Sequence, residues 1–213
     1  MKQHSIAFSR RNITLEGIVT LPTDLPSPFP GVVLCHAHPL FGESMVSPIM
    51  HTLCRALDSE GIATLRFNFR GVGGSGGSFD QGNGEQEDLK AAMETLKDWP
   101  GIRGNRIGVA GVSFGAVIAL DVLPKARGVK ALALLAPTLS AVRRSRLDKF
   151  KGAKMLVVGE KDRLVPAEEL RSVVALQSAS AEYSAIPGAD HTWKGYEDQV
   201  AAQVAGFLAQ ALR

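Results

Sequence analysis

A chain of 213 residues that is 45% hydrophobic, 6% aromatic and 21% charged has the size and apolar share of one compact domain with its own core, and is too hydrophobic for disorder. Its longest uniformly apolar stretch, residues 131–137, falls short of the roughly 18 residues that cross a bilayer, and residues 1–11 carry no apolar leader segment, so a soluble, cytoplasmic protein is expected. The excess of 24 Lys+Arg over 21 Asp+Glu is too small to argue for nucleic acid, and Cys35 and Cys54 lack the spacing of a disulfide framework, a zinc site or a redox motif.

Short β-branched runs alternate with helically spaced segments along the chain, a pattern that predicts a mostly parallel sheet flanked by helices. Residues 13–21 read as a hairpin or bent edge strand before the proline-rich turn 22–30, and the apolar run 31–35 (GVVLC) reads as a strand covered on both faces. Ser47-Pro48 then supplies a helix N-cap and a proline at the first helical position, and Ile49, Met50, Leu53, Cys54 and Leu57 fall on one face before Gly61. A strand over 62–69 leads into the glycine-rich stretch 71–84. Leu89, Ala92, Met93, Leu96 and Trp99 mark the next helix, ended by Pro100. Further strands are predicted at 106–110, 129–135, 154–158 and 182–186. An almost wholly apolar helix reaches Leu123, and two more helices cover 166–177 and 196–212. No linker divides residues 1–213, although the 22–30 turn is placed to set off a small N-terminal appendage.

Gly111-Val112-Ser113-Phe114-Gly115 is a G-x-S-x-G between a predicted strand and a predicted helix, where a serine is held in a strained turn with its hydroxyl exposed above helix amides. A serine hydroxyl is a weak nucleophile at neutral pH and needs a base oriented by a carboxylate. Asp162 follows the strand 154–158 and His191 follows the strand 182–186, which puts both at the same sheet edge as Ser113, in the chain order Ser, Asp, His. Glu160 and Asp190 compete with Asp162 for the acid's part, but Glu160 sits too near the strand end, and Asp162 is the expected acid.

These residues resemble the α/β-hydrolase superfamily over the chain from Gly31 onward. His36-Ala37-His38-Pro39-Leu40-Phe41-Gly42 is similar to an H-G-x-P oxyanion loop, with Ala37 where many relatives have glycine. Arg70-Gly71-Val72-Gly73-Gly74-Ser75 is similar to the family's R-G-x-G-x-S loop, and the overlapping stretch 66–71 has Asn68 where many relatives have aspartate. The combination resembles small cap-less bacterial serine hydrolases. That resemblance implies a carboxylesterase-like enzyme that works through an acyl-enzyme without metal or organic cofactor. It implies backbone amides of Phe114 and His38 as the oxyanion donors, with Leu40 as the less favoured alternative to His38. A small acyl ester is the expected substrate and a thioester such as acyl-CoA the alternative.

Four competing readings are testable on the structure. His36-x-His38 has the form of a metal-binding pair, but His4, His51 and His191 alone remain to complete a ligand set. Gly71-Val72-Gly73-Gly74-Ser75-Gly76 satisfies a dinucleotide fingerprint in letters, yet further glycines prolong the loop where a helix should start. Arg143, Arg144, Arg146, Lys149, Lys151 and Lys154 form the strongest basic run; it begins at the expected active-site edge, where it would attract an anionic acyl donor. A non-catalytic scaffold on the same fold would lack a member of the Ser, Asp, His set, and none is missing. Only residues 136–153 lie between the strands at 129–135 and 154–158, too few for a helical cap, so an open site is expected.

Overall fold

The computed structural model describes residues 1–23, 25–122 and 128–213. The strands are β1 (Lys2–Arg10), β2 (Ile13–Leu21), β3 (Phe29–Cys35), β4 (Ala63–Phe67), β5 (Ile102–Val112), β6 (Val129–Leu135), β7 (Ala153–Gly159) and β8 (Glu182–Ile186). The helices are α1 (Pro48–Ser59), α2 (Asn83–Lys97), α3 (Phe114–Val122), α4 (Leu139–Arg144), α5 (Ala167–Gln177) and α6 (Glu197–Leu212). The eight strands form one sheet in the order β1-β2-β4-β3-β5-β6-β7-β8. β1 and β2 pair antiparallel, as do β2 and β4, and every other neighbour is parallel.

The inner strands β3, β4, β6 and β7 are mostly buried on both sides, as continuous apolar runs in such sheets should be; β6 reads Val-Lys-Ala-Leu-Ala-Leu-Leu and is closed from Ala131 onward. Helices α1 and α6 pack together on the sheet, while α2 packs on α3 and α4 on α5. From β3 the chain first steps to β4 on one side and then to β5 on the other. The carboxyl ends of β3 and β5 therefore diverge at a topological switch point, where open α/β sheets form their ligand crevice.

The structure corrects several sequence expectations. Residues 13–21 are a continuous interior strand; the edge is β1, whose alternating exposed residues gave little apolar signal. β1 and β2 belong to the same sheet as the rest, so the 22–30 turn sets off no appendage. β4 ends at Phe67, leaving Asn68 and Phe69 in the following loop, and β5 starts four residues earlier than predicted. Ser47 stands at the α1 N-cap, yet its hydroxyl accepts from the Ser44 amide rather than a helix amide. The apolar helix is α3, described as far as Val122; Leu123 lies outside the described residues. The short segment between β6 and β7 holds only α4 and a single 3₁₀ turn, Leu147–Lys149, so among the described residues the sheet's carboxyl edge carries no cap domain.

Candidate active site

Ser113 sits between the last residue of β5 and the first of α3 with φ +49°, the left-handed region that a β-carbon makes unfavourable. Two bonds hold the turn: the Ser113 amide donates to Leu135 O (2.8 Å) and its carbonyl accepts from Val117 N (3.1 Å). The flanking glycines are sterically required. A β-carbon on Gly111 would lie 2.5 Å from the Gly115 carbonyl carbon, and one on Gly115 would collide with the backbone of Cys35 and His36. The turn is thus pressed against the end of β3, bringing the start of α3 beside the loop that begins at His36.

Residues far apart in sequence converge on the serine. Ser113 Oγ lies 3.0 Å from His191 Nε2, and His191 Nδ1 lies 2.8 Å from Asp162 Oδ2. Asp162 is buried, and its other oxygen accepts from the amides of Leu164 (2.9 Å) and Val165 (2.8 Å). The carboxylate is therefore held by its own loop with one oxygen left for the imidazole. A carboxylate facing Nδ1 selects the tautomer with the proton there, which leaves Nε2 as an acceptor toward Ser113. The competing acids are engaged elsewhere. Glu160 accepts from the Gly188 amide (2.9 Å), and Asp190 accepts from both the hydroxyl and the amide of Thr192. The Thr192 bonds hold the Asp190 carboxyl below its usual range.

The two loops carrying Asp162 and His191 lock onto each other. Lys161 N donates to Ala189 O (2.8 Å), and Gly159 has no room for a β-carbon, which would lie 2.5 Å from Ala189 O. Trp193, two residues past His191, is fully buried with φ +63° and accepts from Tyr196 N (2.8 Å), anchoring the histidine loop in the core. Sequence reasoning passed over Trp193 as part of a loop; its only signal was a large apolar residue among polar ones.

The loop after β3 shows what its two histidines do. His36 is completely buried, its Nε2 accepting from Phe69 N (3.1 Å) and its Nδ1 donating to Ala37 O (2.7 Å). Burial pushes its pKa down to about 4. Both ring nitrogens are thereby spent on backbone, which leaves no lone pair for a metal. The His38 ring packs at 4.9 Å from Phe114, 5.1 Å from Phe79 and 5.2 Å from Phe41. Its Nδ1 accepts from Leu40 N (3.3 Å), which commits the Leu40 amide. The Phe114 amide is the first of α3 and has no acceptor within its helix. Leu40, Phe41 and Leu164 are largely exposed on the loops that carry these groups, giving the open edge an apolar rim.

The other motifs resolve structurally. No helix starts at the third glycine of Gly71-Val72-Gly73-Gly74-Ser75-Gly76; α2 begins only at Asn83. In the basic run, Lys154 lies buried at the amino end of β7, bonded to Ser180, on the edge opposite Asp162. Arg144 pairs with Asp121 and Lys149 with Asp148, so three members of the run have partners of their own. Among the described residues no group of three or more His, Cys, Asp or Glu is placed to hold a metal ion, and no helix is long and apolar enough to cross a membrane.

Comparison with known proteins matches residues 30–210 to the alpha/beta hydrolase domain family. A solved alpha-beta serine hydrolase homologue from Coxiella burnetii is 31% identical, with a TM-score of 0.81 over 100% of this chain and 99% of that one. A serine hydrolase without a lid from Xanthomonas campestris superposes with a TM-score of 0.85 over 99% and 95% of the two chains; at 24% identity that likeness concerns the fold. An uncharacterized Rickettsia prowazekii protein is 29% identical over 188 residues, 84% of this chain and 78% of that one.

Proposed function

Because the chain belongs to the alpha/beta hydrolase domain family, we propose that it is a serine hydrolase that cleaves small acyl esters through a Ser113–His191–Asp162 triad. The observation that carries this reading is the unbroken chain of contacts Ser113 Oγ–His191 Nε2 and His191 Nδ1–Asp162 Oδ2, at 3.0 and 2.8 Å, on the carboxyl edge of the sheet. Ser113 Oγ attacks the ester carbonyl while His191 Nε2 takes its proton. Asp162 holds the imidazole by its Nδ1–H and stabilises the imidazolium that forms. The tetrahedral oxyanion accepts from the amides of Phe114 and His38; the Leu40 amide is already given to His38 Nδ1. His191 then passes its proton to the departing alcohol, leaving the acyl group on Ser113. Water, deprotonated by the same imidazole, releases the acid and restores the serine.

The apolar rim and the uncapped edge favour uncharged acyl groups. Arg144, Lys149 and Lys154 have partners of their own, which leaves fewer cations of the basic run to draw in a coenzyme A thioester, the alternative substrate. The test is labelling by a fluorophosphonate together with turnover of an ester and thioester panel that varies acyl length and head-group charge. Labelling and turnover should both vanish in Ser113→Ala. An unlabelled wild-type protein that turns over no ester would refute the assignment.

A further inference from the structure

The loop 36–47, which carries the His38 amide, is fastened at its near end by the Phe69 N–His36 bond and at its far end by Met45. Two side chains, Arg66 on β4 and Asn68 just beyond it, grip that residue: Arg66 Nη1 donates to Met45 O (3.1 Å), and Met45 N donates to Asn68 Oδ1 (2.8 Å). Asn68 is buried, and its amide orientation is dictated by a second partner, because Asn68 Nδ2 lies 2.6 Å from Glu16 Oε1 on β2. A carboxylate only accepts, so the NH₂ must face Glu16 and the carbonyl is thereby turned to Met45. Glu16 is in turn set by the Gly74 amide (2.7 Å to Oε1) and by Ser75 Oγ, which accepts from the Glu16 amide. A β-carbon on Gly73 would collide with Glu16 Oε1, and one on Gly74 would lie 2.7 Å from Oε2. Two members of the glycine-rich stretch, Gly73 and Gly74, are thus packed against this carboxylate.

We propose that Glu16 and Asn68 are a matched carboxylate–carboxamide pair that positions the loop 36–47, and with it the His38 amide, for oxyanion stabilisation. Both are positioning residues, and the catalytic consequence rests on the function proposed above. Asparagine is required at 68 because it must donate to Glu16 and accept from Met45 at once. Aspartate has the same shape but cannot donate, and it would set two carboxylates against each other across a 2.6 Å contact.

The experiment compares wild type with N68D, E16Q and N68D/E16Q. It reads kcat and KM on p-nitrophenyl acetate, normalised by fluorophosphonate active-site titration, and amide hydrogen exchange at Met45. N68D should lose about 10²-fold in kcat with KM little changed, as expected when one oxyanion donor is displaced, and Met45 should lose protection. E16Q, which still accepts from Asn68 without the charge, should lose no more than about threefold. N68D/E16Q restores a donor opposite an acceptor but gives up the Gly74 amide bond to Oε1, and should recover about threefold or more of the N68D loss together with Met45 protection. An N68D enzyme with wild-type titrated kcat and a protected Met45 would overturn the pairing, as would a double variant no better than N68D alone. If Ser113→Ala hydrolyses the ester as fast as wild type, the proposed function fails, whereas Met45 protection across the four proteins still decides the pair.

Discussion

Replacing Asp162 by asparagine is the most informative single test of the site, because the structure dictates which way the new amide must face. Oδ1 of Asp162 accepts two backbone N–H groups, from Leu164 and Val165, while Oδ2 alone faces His191 Nδ1. Placing the introduced NH₂ at the Oδ1 position would set it against two donors and forfeit both bonds, at about 1 kcal/mol each or more in a buried site. The NH₂ therefore takes the Oδ2 position and donates to His191 Nδ1. The imidazole must then carry its proton on Nε2, pointing at Ser113 Oγ only 3.0 Å away, where it can no longer act as a base. The fold should survive and KM should change little, whereas kcat should fall by about 10⁴, close to 5.5 kcal/mol of transition-state stabilisation. Steady-state hydrolysis of p-nitrophenyl acetate, with thermal unfolding of the same preparations, measures both. A variant that keeps kcat within about tenfold of wild type would refute the argument. So would an equal loss in Glu160→Gln or Asp190→Asn, whose carboxylates serve Gly188 and Thr192 instead.

The triad should also behave as one unit: Ser113→Ala and His191→Ala should each remove most turnover, and the double variant should lose little more, so additive losses in kcat would contradict the mechanism. Gly115→Ala forces a β-carbon into the Cys35 and His36 backbone; if α3 yields by even part of an ångström, the Phe114 amide moves from the loop 36–47 and kcat should drop by about 10²-fold, with a lowered Tm. Wild-type activity and Tm in that variant would show that the contact relaxes harmlessly. His36 makes stability depend on pH. Its folded pKa of about 4 lies below the usual histidine value, so the unfolded chain takes up the extra proton. Its contribution is complete above about pH 6.5 and is lost as pH falls toward 4, a change of about 3 kcal/mol. Urea unfolding at pH 7, 5.5 and 4 should show that loss in wild type and a shallower one in His36→Gln; parallel pH dependences would place the titration elsewhere.

Much of this was legible in the chain because it is written in local patterns. The strands 129–135 and 182–186 were bounded to the residue, since an apolar run between turn residues needs no distant information. The buried face of α1, Ile49, Met50, Leu53, Cys54 and Leu57, followed from helical spacing alone. β1 was missed because its exposed alternate positions are polar and its stability comes from pairing with β2. The helix α4 was missed because six residues carry too little periodicity to register.

The sequence by itself determined the α/β alternation, the serine between strand and helix, and a histidine and three acids in two later loops. These follow from spacing and from what each residue type permits its own backbone. Although the sequence favoured Asp162 among the three acids, only the tertiary structure brings it to the imidazole, because Asp162 and His191 are 29 residues apart and a hydrogen bond is made or lost within about half an ångström. It also decided what the glycines are for: Gly111, Gly115 and Gly159 are small because particular carbonyls from other parts of the chain lie against them. The same holds for Asn68. Its type looks like a neutral variation on aspartate until the fold sets Glu16 at one end of its amide and Met45 at the other, and then only a side chain that both donates and accepts fits.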